Sequence, residues 1–156
     1  MKSDSSFNPN DKYYIACQER YRHKTQDLLS DAFDYAVNVF HFSGDDFVHL
    51  FLRSSACSRL ERKDITYILG RSGIEMALDI IEETTGEVLD VDPQPRYFRT
   101  REYWVGWALA YYKWQSKWTY QEIFSKVPFS VLREMYNPLH EADISKFISI
   151  MDTKMN

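Results

Sequence analysis

Apolar and aromatic residues recur along most of this chain at steps of three, four or seven positions, the spacing of one face of an α-helix. Residues 1–10 are polar and predict a flexible N-terminus. Asn10 or Asp11 can then cap a first helix that runs to about Phe40, with a kink or a break at the strongly polar stretch 22–27. Its apolar positions are Tyr14, Cys17, Tyr21, Leu28, Ala32, Tyr35 and Val39.

Residues 43–46 indicate the end of one helix and the start of the next. Gly44 can end the first helix, while the side chain of Ser43 or Asp45 can accept hydrogen bonds from the free N–H groups of a short second helix. The apolar face of that helix carries Phe47, Leu50 and Phe51. The small and charged residues over 54–64 predict a loop or weak turns.

A firmer helix start lies at Ser72 and Glu75, which have the S-x-x-E spacing of a capping box, and Gly86 is a suitable end for this helix. Pro93 and Pro95 then interrupt a stretch with little periodicity, and proline is costly inside a helix. We therefore interpret 87–97 as a linker. The short segments 67–69 and 88–91 are weak strand candidates.

The strongest helix is predicted over 101–117, where eight of the eighteen residues from Tyr103 to Tyr120 are Trp or Tyr. Five aromatic residues recur there at steps of three or four: Trp104, Trp107, Tyr111, Trp114 and Trp118. We interpret this aromatic seam as part of the core. Tyr103 and Tyr112 fall off the seam, which makes them candidates for an exposed binding surface.

The rest of the chain predicts short helices. Thr119 and Glu122 form a second capping box, and Pro128 ends the helix that follows. Asn137-Pro138 has the pattern of a helix start and predicts a final helix that runs to about Asp152. The apolar stripe of that helix contains Ile144, Phe147, Ile148 and Met151.

These elements predict an all-α fold: a compact multi-helix bundle with an N-terminal helical half (11–86) and an aromatic-rich C-terminal half (98–156), joined by the proline-containing linker. The length of 156 residues and the apolar fraction of 44% suit one domain with a sizeable core. No apolar run approaches the roughly 18–20 residues of a membrane span, and no signal peptide is evident. We expect a cytoplasmic protein that does not bind membranes.

Candidate catalytic chemistry is sparse. Asp45 and His49 stand four positions apart, and His140 lies near the start of a predicted helix, so a small enzyme would need these three side chains to converge between the halves. Each also has a plain interpretation as a helix-surface or capping residue. Cys17 and Cys57 show no metal-type spacing, and we expect two reduced thiols and neither a metal nor a cofactor.

The net charge of −4 argues against a protein that coats nucleic acids without sequence specificity. Basic residues nevertheless cluster in two groups. The middle group comprises Arg53, Arg59, Arg62, Lys63 and Arg71, and the second comprises Arg96, Arg99 and Arg101. If the groups meet, they form a basic surface beside Trp and Tyr that suits an acidic protein or nucleic acid. The alternative is a solvated face that pairs with Glu61, Glu75 and Glu102.

Several motifs resemble an uncharacterised family of small proteins from Firmicutes. In the C-terminal half the motifs are residues 102–114, EYWVGWALAYYKW, and 135–147, MYNPLHEADISKF. In the N-terminal half they are Leu60-Glu61-Arg62 and 70–77, GRSGIEMA. The resemblance implies an association with toxin–antitoxin or mobile-element genes, including ADP-ribosyltransferase-like toxins, and it assigns no catalytic residue.

The favoured hypothesis is a non-enzymatic protein-binding module, most concretely an antitoxin-like or immunity-like protein that neutralises a toxin-like or effector protein. The predicted binding residues are Tyr103, Tyr112, Arg99 and Arg101, followed by Arg62 and Arg71. A homodimer is compatible with the same surface. The alternatives are a nucleic-acid-binding regulator that uses the arginine and aromatic residues, and the small enzyme described above.

Overall fold

The computed structural model describes residues 8–91, 94, 96 and 99–156, and within them it contains ten α-helices and no β-strand. The predicted all-α class is therefore confirmed. Pro93, Pro95 and residues 1–7 lie outside the described residues. The helices are α1 (Lys12–Asn38), α2 (Gly44–Arg53), α3 (Ser55–Glu61), α4 (Ile65–Gly70), α5 (Gly73–Thr85), α6 (Arg101–Gln115), α7 (Tyr120–Lys126), α8 (Phe129–Glu134), α9 (Tyr136–Leu139) and α10 (Ile144–Met155).

Helix α1 is continuous, so the break predicted over 22–27 is wrong. Asp11 caps it as predicted, accepting hydrogen bonds from the N–H groups of Tyr13 and Tyr14. Two polar residues in its middle, Thr25 and Gln26, are buried and donate to backbone carbonyls. Thr25 donates to the carbonyl of Tyr21 at 2.8 Å, and Gln26 donates to the carbonyl of Trp107 in α6 at 3.3 Å.

Helix α1 is the centre of the bundle, with α5 packed on it from the N-terminal half and α6 from the C-terminal half. Two glycines permit these contacts. A Cβ atom on Gly106 would lie 2.4 Å from the carbonyl oxygen of Leu29, and one on Gly73 would lie 2.7 Å from that of Leu28. Both helices therefore touch the backbone of α1, and one hydrophobic core contains side chains from both halves.

Most predicted helix starts are confirmed. Ser72 and Glu75 form a capping box with backbone bonds of 3.0 and 3.1 Å, and Thr119 and Glu122 form the second with the same distances. Gly86 ends α5 with a φ of 76°, a left-handed conformation that suits glycine.

The predicted stop at Gly44 is wrong, because Gly44 is the first residue of α2 and Ser43 caps that helix.

Two predictions for the middle of the chain are also wrong. Residues 54–64 are not a loop, because Ser54 caps the helix α3 and Leu60 is buried within it. The strand candidate 67–69 lies in the helix α4, which Asp64 caps. Both helices are too short to show clear periodicity in the sequence, and contacts with the rest of the fold stabilise them.

The final helix begins later than predicted. Asp143, and not Asn137, caps α10 by accepting a hydrogen bond of 2.9 Å from the N–H of Ser145. Asn137 and Pro138 belong to the single turn α9. The predicted apolar stripe of α10 is confirmed, since Phe147 and Met151 are buried and Ile144 and Ile148 pack against the core.

None of the described helices is both long and apolar enough to cross a membrane.

Candidate functional site

A concave surface opens where the first two turns of α6 meet α9. Its volume is about 180 Å³, and we call it the aromatic groove. Helix α6 contributes Tyr103, Trp104 and Trp107, while Arg99 precedes the N-cap of that helix. Tyr136 comes from α9, and His140 is the C-cap of that turn.

The orientation of α6 decides which aromatic side chains reach the groove. The face around Gly106 packs on α1 and buries Val105 and Leu109, so the aromatic seam lies at the edge of the core. The predicted burial of the seam holds for Trp104, which is 8% exposed. The other four seam residues are only partly buried: Trp107, Tyr111, Trp114 and Trp118.

Tyr112 is not a surface residue, and this prediction is wrong. Its side chain is 1% exposed, and its hydroxyl donates a hydrogen bond of 2.8 Å to Asp152 in α10. Burial, together with the contact with the Asp152 carboxylate, raises the pKa of Tyr112 to about 12. Tyr112 therefore joins α6 to α10 inside the fold.

A buried polar cluster holds the start of α6 in place. Asp34 accepts hydrogen bonds from Thr100, the N-cap of α6, at 2.7 Å and from Arg96 at 2.8 Å. Asn38 donates to Asp34 at 2.9 Å and to Glu102 at 3.0 Å. Because Asp34 and Asn38 belong to α1, the cluster sets the position of α6 relative to α1, and with it the position of the groove.

The second buried carboxylate of this cluster belongs to Glu102, which is 3% exposed. Burial raises the pKa of this carboxyl, but hydrogen bonds from Arg133 and Asn38 outweigh that effect, so the pKa lies below its usual range. Arg133 belongs to α8, so the charged Glu102 ties α6 to α8 as well.

The rings of the groove support one another. The His140 ring stacks on Tyr136 with centroids 4.1 Å apart and an angle of 11°, and Trp104 meets Tyr136 nearly perpendicularly at 6.0 Å. Trp104 also contacts the buried Phe147 at 5.5 Å. Such contacts between rings are favourable, and they link the groove to the buried Phe147.

His140 is also held by its backbone. Its Nδ1 lies 2.8 Å from the carbonyl oxygen of Tyr136, which makes Nδ1–H the donor in the neutral ring and leaves Nε2 as an acceptor. Nε2 lies 3.7 Å from the exposed carboxylate of Glu141.

Two arginines stand at the groove with aromatic partners. The guanidinium carbon of Arg99 lies 5.6 Å from the ring of Tyr103, and that of Arg101 lies 5.6 Å from the ring of Tyr136. Within the described residues neither arginine forms an ion pair, and no Asp or Glu lines the groove. The groove therefore presents aromatic surface and two arginines without an ion pair in the described part of the chain.

Tyr103 keeps its proton under ordinary conditions. Burial raises its pKa, and the nearby carboxylates of Asp31 and Asp27 raise it further, against the opposite effect of Arg99. The hydroxyl is therefore neutral, and its neighbours include Asp27, Ser30 and Asp31 of α1.

The predicted binding residues divide into those at the groove and those elsewhere. Arg99 and Tyr103 line it, and Arg101 lies beside it. Arg71 instead pairs with Glu75 and Asp79. Arg62, which donates to Ser58 at 2.9 Å, also does not line the groove. The middle basic group is thus not part of this site, and for Arg71 the alternative of a solvated pair with Glu75 is confirmed.

The three side chains of the enzyme hypothesis do not share a cavity. Asp45 and His49 line a separate groove between α2, α7 and α8, whereas His140 lines the aromatic groove. Burial raises the pKa of the Cys57 thiol to about 12, so it is not an activated nucleophile. In the part of the chain that the structure describes, no group of three His, Cys, Asp or Glu residues could hold a metal ion.

The sequence did not predict which residues join Arg99 and Tyr103 at the groove. These are Trp107, Tyr136 and His140. The one available signal is their residue type, because aromatic side chains and arginine are enriched at interfaces. Their meeting depends on how α9 packs against α6, which no local pattern reveals.

Comparisons with protein-family models, with curated proteins and with solved structures found no match to this chain. The resemblance to the family of small Firmicutes proteins stays a prediction.

Proposed function

We propose that this chain is a non-enzymatic protein-binding module and that the aromatic groove receives a side chain from the partner protein. The observation that supports this function is the meeting of Arg99 and Tyr103 with three further aromatic residues around one concave surface, which no carboxylate of the described residues lines. Partly exposed Trp, Tyr and Arg are the residue types that contribute most to binding energy at protein interfaces.

The size of the groove favours a protein ligand. Pockets that enclose a cofactor or a drug-sized molecule measure roughly 300–1,000 Å³, and this groove, at about 180 Å³, is smaller. It suits one protruding side chain, with the surrounding surface covered by the rest of the partner. The stacked rings of Tyr136 and His140 give such a side chain a rigid wall.

More specifically, we propose that the chain is an antitoxin-like or immunity-like protein. It would bind and neutralise a toxin-like or effector protein in the cytoplasm. The family resemblance supports this form, and the free cysteines Cys17 and Cys57 fit a reducing compartment.

The test is capture of the partner by the tagged full chain from its native cells, followed by measurement of the dissociation constant for the purified pair. Trp107→Ala removes a groove wall, and we expect it to weaken binding about tenfold or more, as for a central interface residue. Tyr13→Ala is the matched control, because Tyr13 is an aromatic residue with 80% exposure on α1, away from the groove. We expect it to leave the dissociation constant unchanged.

Two results would contradict the proposal. One is a chain that captures nothing and has the native mass of a lone monomer. The other is a captured partner that binds the Trp107→Ala variant as tightly as the original chain, while circular dichroism shows that the variant is folded.

A further inference from the structure

Beyond the groove, the aromatic seam continues along the outer edge of α6. Trp107, Tyr111, Trp114 and Trp118 are each partly exposed. Within α6 the seam runs from Trp104 to Trp114, ten residues apart, so this part is about 15 Å long at 1.5 Å per residue, and Trp118 lies beyond the end of the helix. An extended peptide of about five residues covers the helical part.

Positively charged side chains lie over the rings of this seam. Arg22 lies 4.7 Å from the ring centroid of Tyr111, Lys63 lies 4.2 Å from that of Trp114, and Lys117 lies 4.9 Å from that of Trp118. Lys126 also lies over the ring of Trp118, and Arg99 and Arg101 lie over Tyr103 and Tyr136 at the groove. Among the described residues, six cations thus lie over rings of the seam or the groove.

None of these six side chains forms an ion pair within the described residues, although Lys63 donates to the carbonyl of Trp114 at 3.1 Å and Lys126 to that of Met155 at 2.8 Å. The neighbouring Lys113 pairs with Glu61 at 3.5 Å. Lys63 and Lys113 are close enough to repel each other: burial lowers the pKa of Lys63, and the charge of Lys113 lowers it further. The seam is thus locally positive in a chain with a net charge of −4.

We infer that the seam binds an extended acidic segment of the partner protein, with its carboxylates on the cations and its apolar side chains against the parts of the rings that the cations leave uncovered. This inference rests on the proposed function and adds the chemistry of the partner. The groove then holds an anchoring side chain at one end, and the helical part of the seam holds about five residues of the attached chain.

The observations favour a peptide over a nucleic acid. Single-stranded nucleic acids bind by stacking bases on open aromatic faces, but cations already lie over the rings of Tyr111, Trp114 and Trp118. Asp27, Asp31 and Glu61 lie close to seam or groove residues and oppose a continuous phosphate backbone. A peptide can place its carboxylates opposite the cations alone.

The experiment is a selection of random heptapeptides displayed on phage against the immobilised full chain, followed by titration of the best synthetic peptide. We expect the selected peptides to carry net negative charge with apolar residues between the acids. The double variant Arg22→Glu/Lys117→Glu reverses two seam charges, and we expect it to weaken binding of that peptide about tenfold or more. Circular dichroism verifies that the variant folds.

The matched control is Arg20→Glu/Lys146→Glu, which changes the net charge equally at two exposed residues that make no contact with the seam rings. We expect it to change binding less than about twofold. Four results would overturn the inference: no enrichment, enrichment of neutral or basic peptides, equal loss in the control variant, or tighter binding of a single-stranded oligonucleotide of roughly 12 nucleotides.

The two proposals fail in different ways. In one outcome, the natural partner binds the original chain, loses its binding with Trp107→Ala and keeps it with Arg22→Glu/Lys117→Glu. In that case the proposed function stands and the inference of an acidic segment is wrong. If no partner is captured and no peptide is enriched, both are wrong.

Discussion

Gly106 on α6 lies directly against the carbonyl group of Leu29 on α1, so close that a Cβ atom at this position would stand 2.4 Å from the carbonyl oxygen. The same Cβ would meet the Leu29 carbonyl carbon at 2.5 Å and the Ser30 nitrogen at 2.6 Å. All three atoms belong to backbone, which cannot rotate away as a side chain can. This contact turns the opposite edge of α6, with its aromatic seam, toward the outside.

We therefore expect Gly106→Ala to destabilise the protein by about 1–3 kcal/mol, the usual cost of overpacking, although alanine favours a helix more than glycine does. Urea unfolding followed by circular dichroism measures the free energy of unfolding. Gly70→Ala is the control, because a Cβ at Gly70 meets nothing within 4 Å. A Gly106→Ala protein as stable as the control would show that α6 and α1 are not in backbone contact.

The ion pair of Glu102 predicts a pH dependence of stability. Its pKa is lower in the folded chain than in the unfolded chain, so the charged carboxylate stabilises the fold above the ordinary Glu pKa, and this contribution is lost as the pH falls through the lowered pKa. Glu102→Gln removes the charge but keeps the shape. We expect it to lower the free energy of unfolding at neutral pH and to lose most of that difference at an acidic pH below the lowered pKa of Glu102.

Urea titrations of both proteins at the two pH values give this comparison. Glu141→Gln is the control, because that side chain is exposed. If Glu102→Gln lowers the free energy of unfolding by the same amount at both pH values, the charged state assigned to Glu102 is wrong.

The variant Tyr112→Phe distinguishes a structural role of Tyr112 from a role in binding. Tyr112→Phe removes the hydrogen bond to Asp152, and we expect a loss of about 0.5–1.5 kcal/mol in the free energy of unfolding. We expect no change in the dissociation constant for the partner or for the selected peptide, because the side chain is buried. If a fully folded Tyr112→Phe protein binds more weakly, Tyr112 takes part in binding, as its position off the seam predicted.

The two thiols should differ in reactivity. Cys57 is 7% exposed and its pKa is raised to about 12 by burial, whereas Cys17 is partly exposed on α1. We expect iodoacetamide at mildly alkaline pH to modify Cys17 alone in the native chain and both cysteines in urea. Peptide mass mapping locates the modification, and Cys17→Ser gives a background with one thiol. Rapid modification of Cys57 in the native Cys17→Ser protein would show that α3 opens readily.

Much of the helix pattern could be predicted from the sequence, because caps are local. The hydrogen-bond partners that begin or end a helix lie only a few residues apart in the sequence. Examples are Ser72 with Glu75, Thr119 with Glu122, and Gly86. At the polar stretch of α1, where the predicted break is wrong, a distant contact contributes: Gln26 donates to the carbonyl of Trp107, far along the chain.

By itself, the sequence determined that the chain is helical, where most helices begin, and that Arg and aromatic residues concentrate around α6. Only the tertiary structure decided which of them are accessible: Tyr112 is buried, while Tyr103 and Arg99 meet Tyr136 and His140 at the groove. The physical reason is that helical spacing places side chains on faces, but the rotation of a helix against its neighbours chooses which face is buried. In α6 the face that carries Gly106 packs against the backbone of α1.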